Sequence, residues 1–118
     1  PFSDISTTKP GEPSSEIRRR VIAARAIQEE RYKDFKEIHC NAQMTESMIH
    51  KYAVPEEAGF RLLSNAMERL SLSARAYSRI LKVARTIADL DASPSVSALH
   101  IAEAIGYRNL DRGDWAER

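Results

Sequence analysis

Apolar residues in this chain recur every three or four positions in successive windows, and no segment sustains the alternation of a half-buried strand. The widest apolar face runs from Ala74 to about Leu90. Tyr77, Ile80, Leu81, Ala84, Ile87 and Ala88 share one side there, and Val83 and Leu90 broaden it. Ser73 precedes the run as an N-cap. A helix this apolar belongs at the centre of a bundle.

Four further helices are expected around it. The first starts at Ser14 or Ser15, with Glu16 in its first turn, and runs to Lys33 or Phe35. Its apolar stripe is formed by Ile17, Val21, Ala23, Ala24 and Ile27 with Gln28, and Arg18, Arg19, Arg25, Glu29, Glu30 and Arg31 take the other faces. Ile38 to Met44 connects to a short helix capped by Thr45 and ending near Lys51. Pro55 suits the first turn of a third helix that reaches about Leu70 and tolerates Gly59. Ser93-Pro94 breaks the chain after Leu90, and Ser97 caps a last helix to about Tyr107. The pattern predicts an all-α bundle of about five helices over residues 14–112. Residues 1–13, rich in Pro and Ser/Thr, read as an extended arm in which Phe2 and Ile5 can dock on a neighbouring surface. Residues 113–118 form a tail, polar apart from Trp115.

Composition narrows the functional classes. The chain has 118 residues, 42% hydrophobic and 30% charged, with a net charge of +1. One ordinary soluble domain fits, and any basic patch must be local. The absence of an apolar run of about 20 residues argues against a membrane span, and no signal peptide opens the chain. The lone Cys40 cannot form an internal disulfide, which fits a cytoplasmic home, and it reads as an ordinary structural residue. The chain opens at Pro1 rather than at methionine, as part of a longer protein would. No phosphate loop, H-E-x-x-H, C-x-x-C or G-x-S-x-G occurs. His39, His50 and His100 lack metal-ligand spacing, and Glu29/Glu30 and Glu56/Glu57 suit solvated helix faces. The chain alone is expected to carry no catalysis.

The unusual chemistry lies at the start of the central helix. Arg75, Arg79 and Lys82 recur at i, i+4 and i+7 and share one face, with Arg85 beyond them. Arg75 falls in the first turn, where the helix dipole opposes a cation by roughly 0.3–1 kcal/mol. That conflict points to an anion nearby, for which Ser73, the free N–H groups of the first turn and Arg75 would suit a phosphate. The competing reading pairs Arg75 with an acidic neighbour such as Glu68.

Several stretches carry a family resemblance. The run Ala66-Met67-Glu68-Arg69-Leu70-Ser71-Leu72-Ser73-Ala74-Arg75-Ala76-Tyr77-Ser78-Arg79 and its continuation to Asp89-Leu90 resembles the C-terminal domain of the magnesium-chelatase-like AAA+ ATPases, the ComM/YifB-type proteins of bacteria. Ser14–Gln28 and His100–Arg112 resemble the beginning and end of the same domain. The resemblance implies a helical lid over a nucleotide that is bound mainly by an N-terminal core of the same chain, the core carrying the phosphate loop and the acidic magnesium-binding motif. It implies ATP and Mg²⁺ as cofactors of the parent protein, neither bound by this part alone, and a homo-hexameric assembly. Arg75 matches the sensor-2 arginine that reaches the γ-phosphate, with Ser73 and Arg79 as supporting contacts. Arg18, Arg25, Lys82 and Arg85 are candidates for nucleic-acid or subunit contacts. The resemblance favours a parent acting on DNA, as a hexameric helicase of branch migration in natural transformation. Two alternatives stay open: the lid of a true magnesium chelatase, and a DNA-binding helical module resting on Arg18, Arg19, Arg20 and Arg25 together with the basic stripe Arg75, Arg79 and Lys82.

Overall fold

The computed structural model describes residues 13–110 as five α-helices: α1 (Ser14–Arg31), α2 (Glu46–Tyr52), α3 (Glu57–Arg69), α4 (Ala74–Leu90) and α5 (Ala98–Leu110), with a 3₁₀ turn at Asn41–Gln43 between α1 and α2. No extended strand occurs among these residues, so the predicted all-α class holds. The arm (save Pro13) and the tail lie outside the described residues.

Helix α4 is central, as its wide apolar face predicts. α1, the 3₁₀ turn, α2 and α5 all pack against it, and α3 packs against α5. Ile80, Leu81, Ala84, Ile87 and Ala88 are buried with Ile49 of α2, Leu63 and Ala66 of α3, and Ile101 and Ala104 of α5. Burying one large aliphatic side chain stabilises the fold by about 1.5–3 kcal/mol. The α3–α5 contact depends on Gly59. A Cβ there would lie 3.2 Å from Ile101 Cγ1 and 3.3 Å from the backbone nitrogen of Ala98. Glycine at this point lets two helices approach closely, which its low helix propensity alone would not suggest.

Three of the expected hydroxyl caps form, at Thr45, Ser73 and Ser97. Thr45 Oγ1 accepts from the Met48 N–H at 3.3 Å and Ser73 Oγ from the Ala76 N–H at 3.2 Å. Ser97 Oγ accepts from the His100 N–H at 3.4 Å, while His100 Nδ1 accepts from the Ser97 N–H at 3.0 Å. This is a capping box in which histidine replaces glutamate. With Nδ1 accepting, Nε2 carries the proton and donates to Asp91 at 2.8 Å.

Boundaries differ from expectation in four places. α1 begins after Pro13, whose carbonyl accepts from the Glu16 and Ile17 N–H groups, so neither Ser14 nor Ser15 is the cap. α1 ends at Arg31, short of Lys33, because Tyr32 turns into the core and stacks edge-on against Tyr52. Pro55 precedes α3: it forms an isolated bridge with Val96, and the Glu56 N–H donates to the Val96 carbonyl at 2.8 Å. α5 continues past Tyr107 to Leu110. The stripe expected on α1 is also narrower than its pattern. Ala24 and Gln28 are buried, Ile17 and Ile27 half-buried, and Val21 and Ala23 exposed.

Glu103 on α5 is placed at a cost. Its Oε2 is buried without a hydrogen-bond partner. Burial, and secondarily the nearby Asp91, raise its carboxyl above the ordinary value, with His100 opposing. A raised carboxyl favours the folded state while protonated, and that contribution is lost as pH rises through its folded-state value. Glu103→Gln should therefore be more stable than the parent at neutral pH in urea denaturation. Solvent screening of this partly exposed group should keep the gain below about 1 kcal/mol, and the gain should shrink as pH falls toward the ordinary value of 4.5.

Candidate functional site: the cationic face of α4

The face of α4 left uncovered by its neighbours carries Arg75, Arg79 and Lys82. These residues line one groove of about 1110 Å³. Its walls come from Glu46 and His50 of α2 and from Ala104 and Tyr107 of α5, and Val83, Ile87 and Leu90 of α4 add an apolar surface. The groove thus pairs cations at the amino end of α4 with apolar contact area beyond them, the mixture that suits an amphiphilic, anionic ligand or segment.

Arg75 stands out within this set. It is exposed and makes no hydrogen bond or ion pair among the described residues, so the competing pairing with Glu68 is not formed. The other residues named with it are engaged to different degrees. Ser73 is exposed and directs its oxygen to the Ala76 N–H as the helix cap. Arg79 is exposed on the same face. Lys82 is half-buried and donates from Nζ to the Ala42 carbonyl at 3.1 Å, which holds the 3₁₀ turn against α4. Ser78 donates to Glu46 Oε1 at 2.6 Å and fixes the start of α2 beside the same face. Arg18 and Arg25 are exposed on α1 seven residues apart and share one side of that helix, away from the groove lining.

Arg85 does not belong to this surface. Its side chain is only 4% exposed. The guanidinium donates to the carbonyls of Ser93 at 2.7 Å, Pro94 at 3.2 Å and Tyr52 at 3.4 Å, and pairs with Asp89 Oδ1 at 3.1 Å. The expectation of a nucleic-acid or subunit contact from Arg85 is corrected accordingly: its donors are turned inward. Burial lowers its proton affinity, and the Asp89 carboxylate opposes that effect. The centre of this buried cluster escaped the sequence reading. Asp89 is fully buried and takes a two-pronged contact from Arg31, at 2.8 Å to each oxygen, and a further bond from Asn41 Nδ2 at 2.9 Å. Tyr32 donates to Asn41 Oδ1 at 2.6 Å, and Gln28 Oε1 accepts from the Asn41 N–H at 3.0 Å. The one available signal was the i, i+4 spacing of Arg85 and Asp89 within an otherwise apolar helix.

The three histidines do not converge. His39 and His50 are exposed, and His100 is buried in the α5 cap. Cys40 is exposed, with Sγ 3.9 Å from Gln43 Oε1. Among the described residues no group of three or more His, Cys, Asp or Glu could hold a metal ion. No helix among them is long and apolar enough to cross a membrane.

A family described as magnesium chelatase, subunit ChlI C-terminal, matches over residues 11–108, nearly all of the chain. The chain belongs to this family. Related proteins place the magnesium chelatase C-terminal domain in longer chains. The "Uncharacterized protein YifB" of Salmonella typhimurium is 41% identical over 102 residues, 86% of this chain and 19% of its own length. Its Escherichia coli namesake is 39% identical over 90% of this chain and 20% of its own length. The "Competence protein ComM" of Haemophilus influenzae is 39% identical over 86% of this chain and 19% of its own. The chain therefore spans about a fifth of the length of the curated relatives it matches. No solved structure matches it.

The inward and outward arginines of α4 should respond oppositely to substitution. Arg75→Met should leave the stability of this magnesium chelatase C-terminal domain within about 0.5 kcal/mol, as for an exposed residue without partners. Arg85→Met should cost about 3 kcal/mol or more, because it strips one partner from a buried ion pair and leaves three carbonyls unserved. Urea denaturation with helical circular dichroism separates the two.

Proposed function

We propose that the chain is the C-terminal helical lid of a magnesium-chelatase-like AAA+ ATPase, and that Arg75 is its sensor-2 arginine. The observation that carries this reading is the state of Arg75. It is a solvent-facing guanidinium in the first turn of α4, without a partner among the described residues, at the amino end of a groove. A cation held against the helix dipole with no acid beside it fits an anionic ligand brought from elsewhere. Bound ATP supplies a phosphoryl group for transfer, and positive charge beside its equatorial oxygens favours that transfer. Arg75 would hold the terminal phosphate, with Arg79 and the Ser73 hydroxyl as supporting donors. In the parent protein, Mg²⁺ would be held by an N-terminal core.

A lid that rests on a core couples phosphate chemistry to movement between the two parts. A homo-hexamer in the cytoplasm is the assembly expected of the parent. The kinship with a competence protein favours DNA as its substrate over a porphyrin. In the full-length protein, Arg75→Ala should lower ATP turnover by about tenfold or more, and Arg75→Lys should retain part of it, because the ammonium keeps the charge and loses the fork. Undiminished turnover in Arg75→Ala would remove the assigned role.

The exposed pair Arg18 and Arg25 supports a second, lesser reading in which α1 touches nucleic acid or a neighbouring subunit, with Lys82 as a further contact. If DNA is the ligand, binding of the domain in a mobility-shift assay should weaken steeply with salt, and Arg18→Ala/Arg25→Ala should flatten that dependence. Absence of a shift at low salt would leave the pair to a subunit contact or to solvent.

A further inference from the structure

Helix α5 covers the core with one side and leaves a second side open. Ile101, Ala104 and Ile105 are buried. Leu99, Ala102, Glu103 and Gly106 follow at i, i+3, i+4 and i+7, so they share a face turned away from Ile101. Three features of that face have no explanation within the described bundle. Leu99 is 66% exposed, more than any other large hydrophobic residue among those described. A Cβ at Gly106 would meet nothing within 4 Å, so glycine there weakens the helix without the close approach that Gly59 serves. Glu103 Oε2 is buried with no hydrogen-bond partner among the described residues. Asp91 adds negative charge to the same corner, and His100 bonds to it. A large knob, a shallow floor at Ala102 and Gly106, and an acceptor without its donor suit the approach of another helix that carries a cation. No Lys or Arg lies among residues 98–107, so a second copy of this α5 face would not supply one.

The outer face of α1 has the complementary features. Ile22 is 60% exposed, and exposed Arg18, Arg25, Ala26 and Glu29 surround it at i−4, i+3, i+4 and i+7. Ala24 and Gln28, on the other side of α1, hold it to the bundle. Arg18 and Arg25 make no hydrogen bond or ion pair among the described residues. The charges beside them are matched on their own helix or just past it, Arg19 by Glu16 and Glu30 by Lys33. We propose that the outer face of α1 in one copy of the chain packs antiparallel on the Leu99–Gly106 face of α5 in the next copy, with Arg25 donating to Glu103. Ile22 set opposite position 104 falls between Ala102 and Gly106, and Ala26 then lies beside Leu99. Glu29 reaches the amino end of α5 and Arg18 its carboxyl end, each on the side that the helix dipole favours. The apolar centre of the α1 face favours a protein partner over nucleic acid. The two faces differ, so the contact is head-to-tail and repeats around a ring. It rests on the assembly proposed above for the parent and is independent of the role of Arg75.

Disulfide trapping in the full-length protein, with ATP and Mg²⁺ present, tests the contact. On a Cys40→Ser background, Ile22→Cys/Ala102→Cys should give a ladder of covalent species beyond the dimer on mild oxidation. Each single cysteine variant should give no species that the background protein lacks. In light scattering, Arg25→Glu and Glu103→Arg should each weaken assembly roughly tenfold, and the two together should restore it. Arg25 has no bonded partner among the described residues of its own copy, so a folding defect from Glu103→Arg would not be rescued this way. Dimers formed by either single cysteine variant would mean that like faces meet, and would overturn the head-to-tail contact. A bond between positions 22 and 102 within one copy would overturn it too. Assembly that ignores both charge reversals, while Arg25→Glu abolishes a DNA shift, would give the α1 face to nucleic acid instead. An assembled protein without the ladder would remove this contact alone. A protein that is monomeric in every form would remove the proposed assembly along with it.

Discussion

Asp89 is the point on which the geometry of this domain rests. It lies on the central helix with no exposed side-chain surface, and two arginines from different parts of the chain converge on it. Arg31 ends α1, Arg85 lies one turn earlier on α4, and Asn41 joins them from the 3₁₀ turn. Arg85 then reaches the carbonyls at the end of α2 and in the α4–α5 link. One carboxylate, directly and through Arg85, thereby ties four segments to α4. Isolated charges in an interior are expensive, and a buried pair stabilises only when its remaining donors and acceptors are also satisfied. Here nearly all of them are, with the Arg85 Nε as the exception among the described residues. Removing one member would leave buried charge unpaired, a loss of about 3–5 kcal/mol.

This arrangement divides the cations of α4 by direction. Arg85 is spent on holding the bundle, Lys82 on holding the connector, and Arg75 on neither. The ionic lock sits near the carboxyl end of α4, and the exposed arginine opens its amino end about 15 Å away along the axis. A helix anchored at one end and cationic at the other can carry a displacement at its tip as motion of the whole bundle. That is the mechanical property a lid needs if it is to sense what lies beneath it.

Much of the fold was legible in the sequence because it rests on local chemistry. Thr45 and Ser73 cap the helices they were expected to cap, and the apolar residues of α4 are those the core uses. What escaped was set by distant partners. The fate of Arg85 depends on carbonyls at Ser93 and Pro94 that appear only once the chain has turned after Leu90. α1 read as a broad stripe because Ile17, Val21 and Ile27 have helical spacing, yet only Ala24 and Gln28 are buried. Its most buried polar residue is explained by Asn41, thirteen residues on. The candidate site was the reverse case. Arg75 drew notice through a local conflict with the helix dipole, and no partner among the described residues resolves that conflict.

In the proposed reading, α4 carries a rigid anchor at its carboxyl end and a sensing tip at its amino end. Amide hydrogen exchange in the full-length protein, with and without ATP, measures the two together. The account predicts that nucleotide slows exchange over residues 75–79 and leaves residues 85–89, already locked by Asp89, unchanged. Exchange that ignores nucleotide at 75–79, or that changes at 85–89 instead, would contradict it.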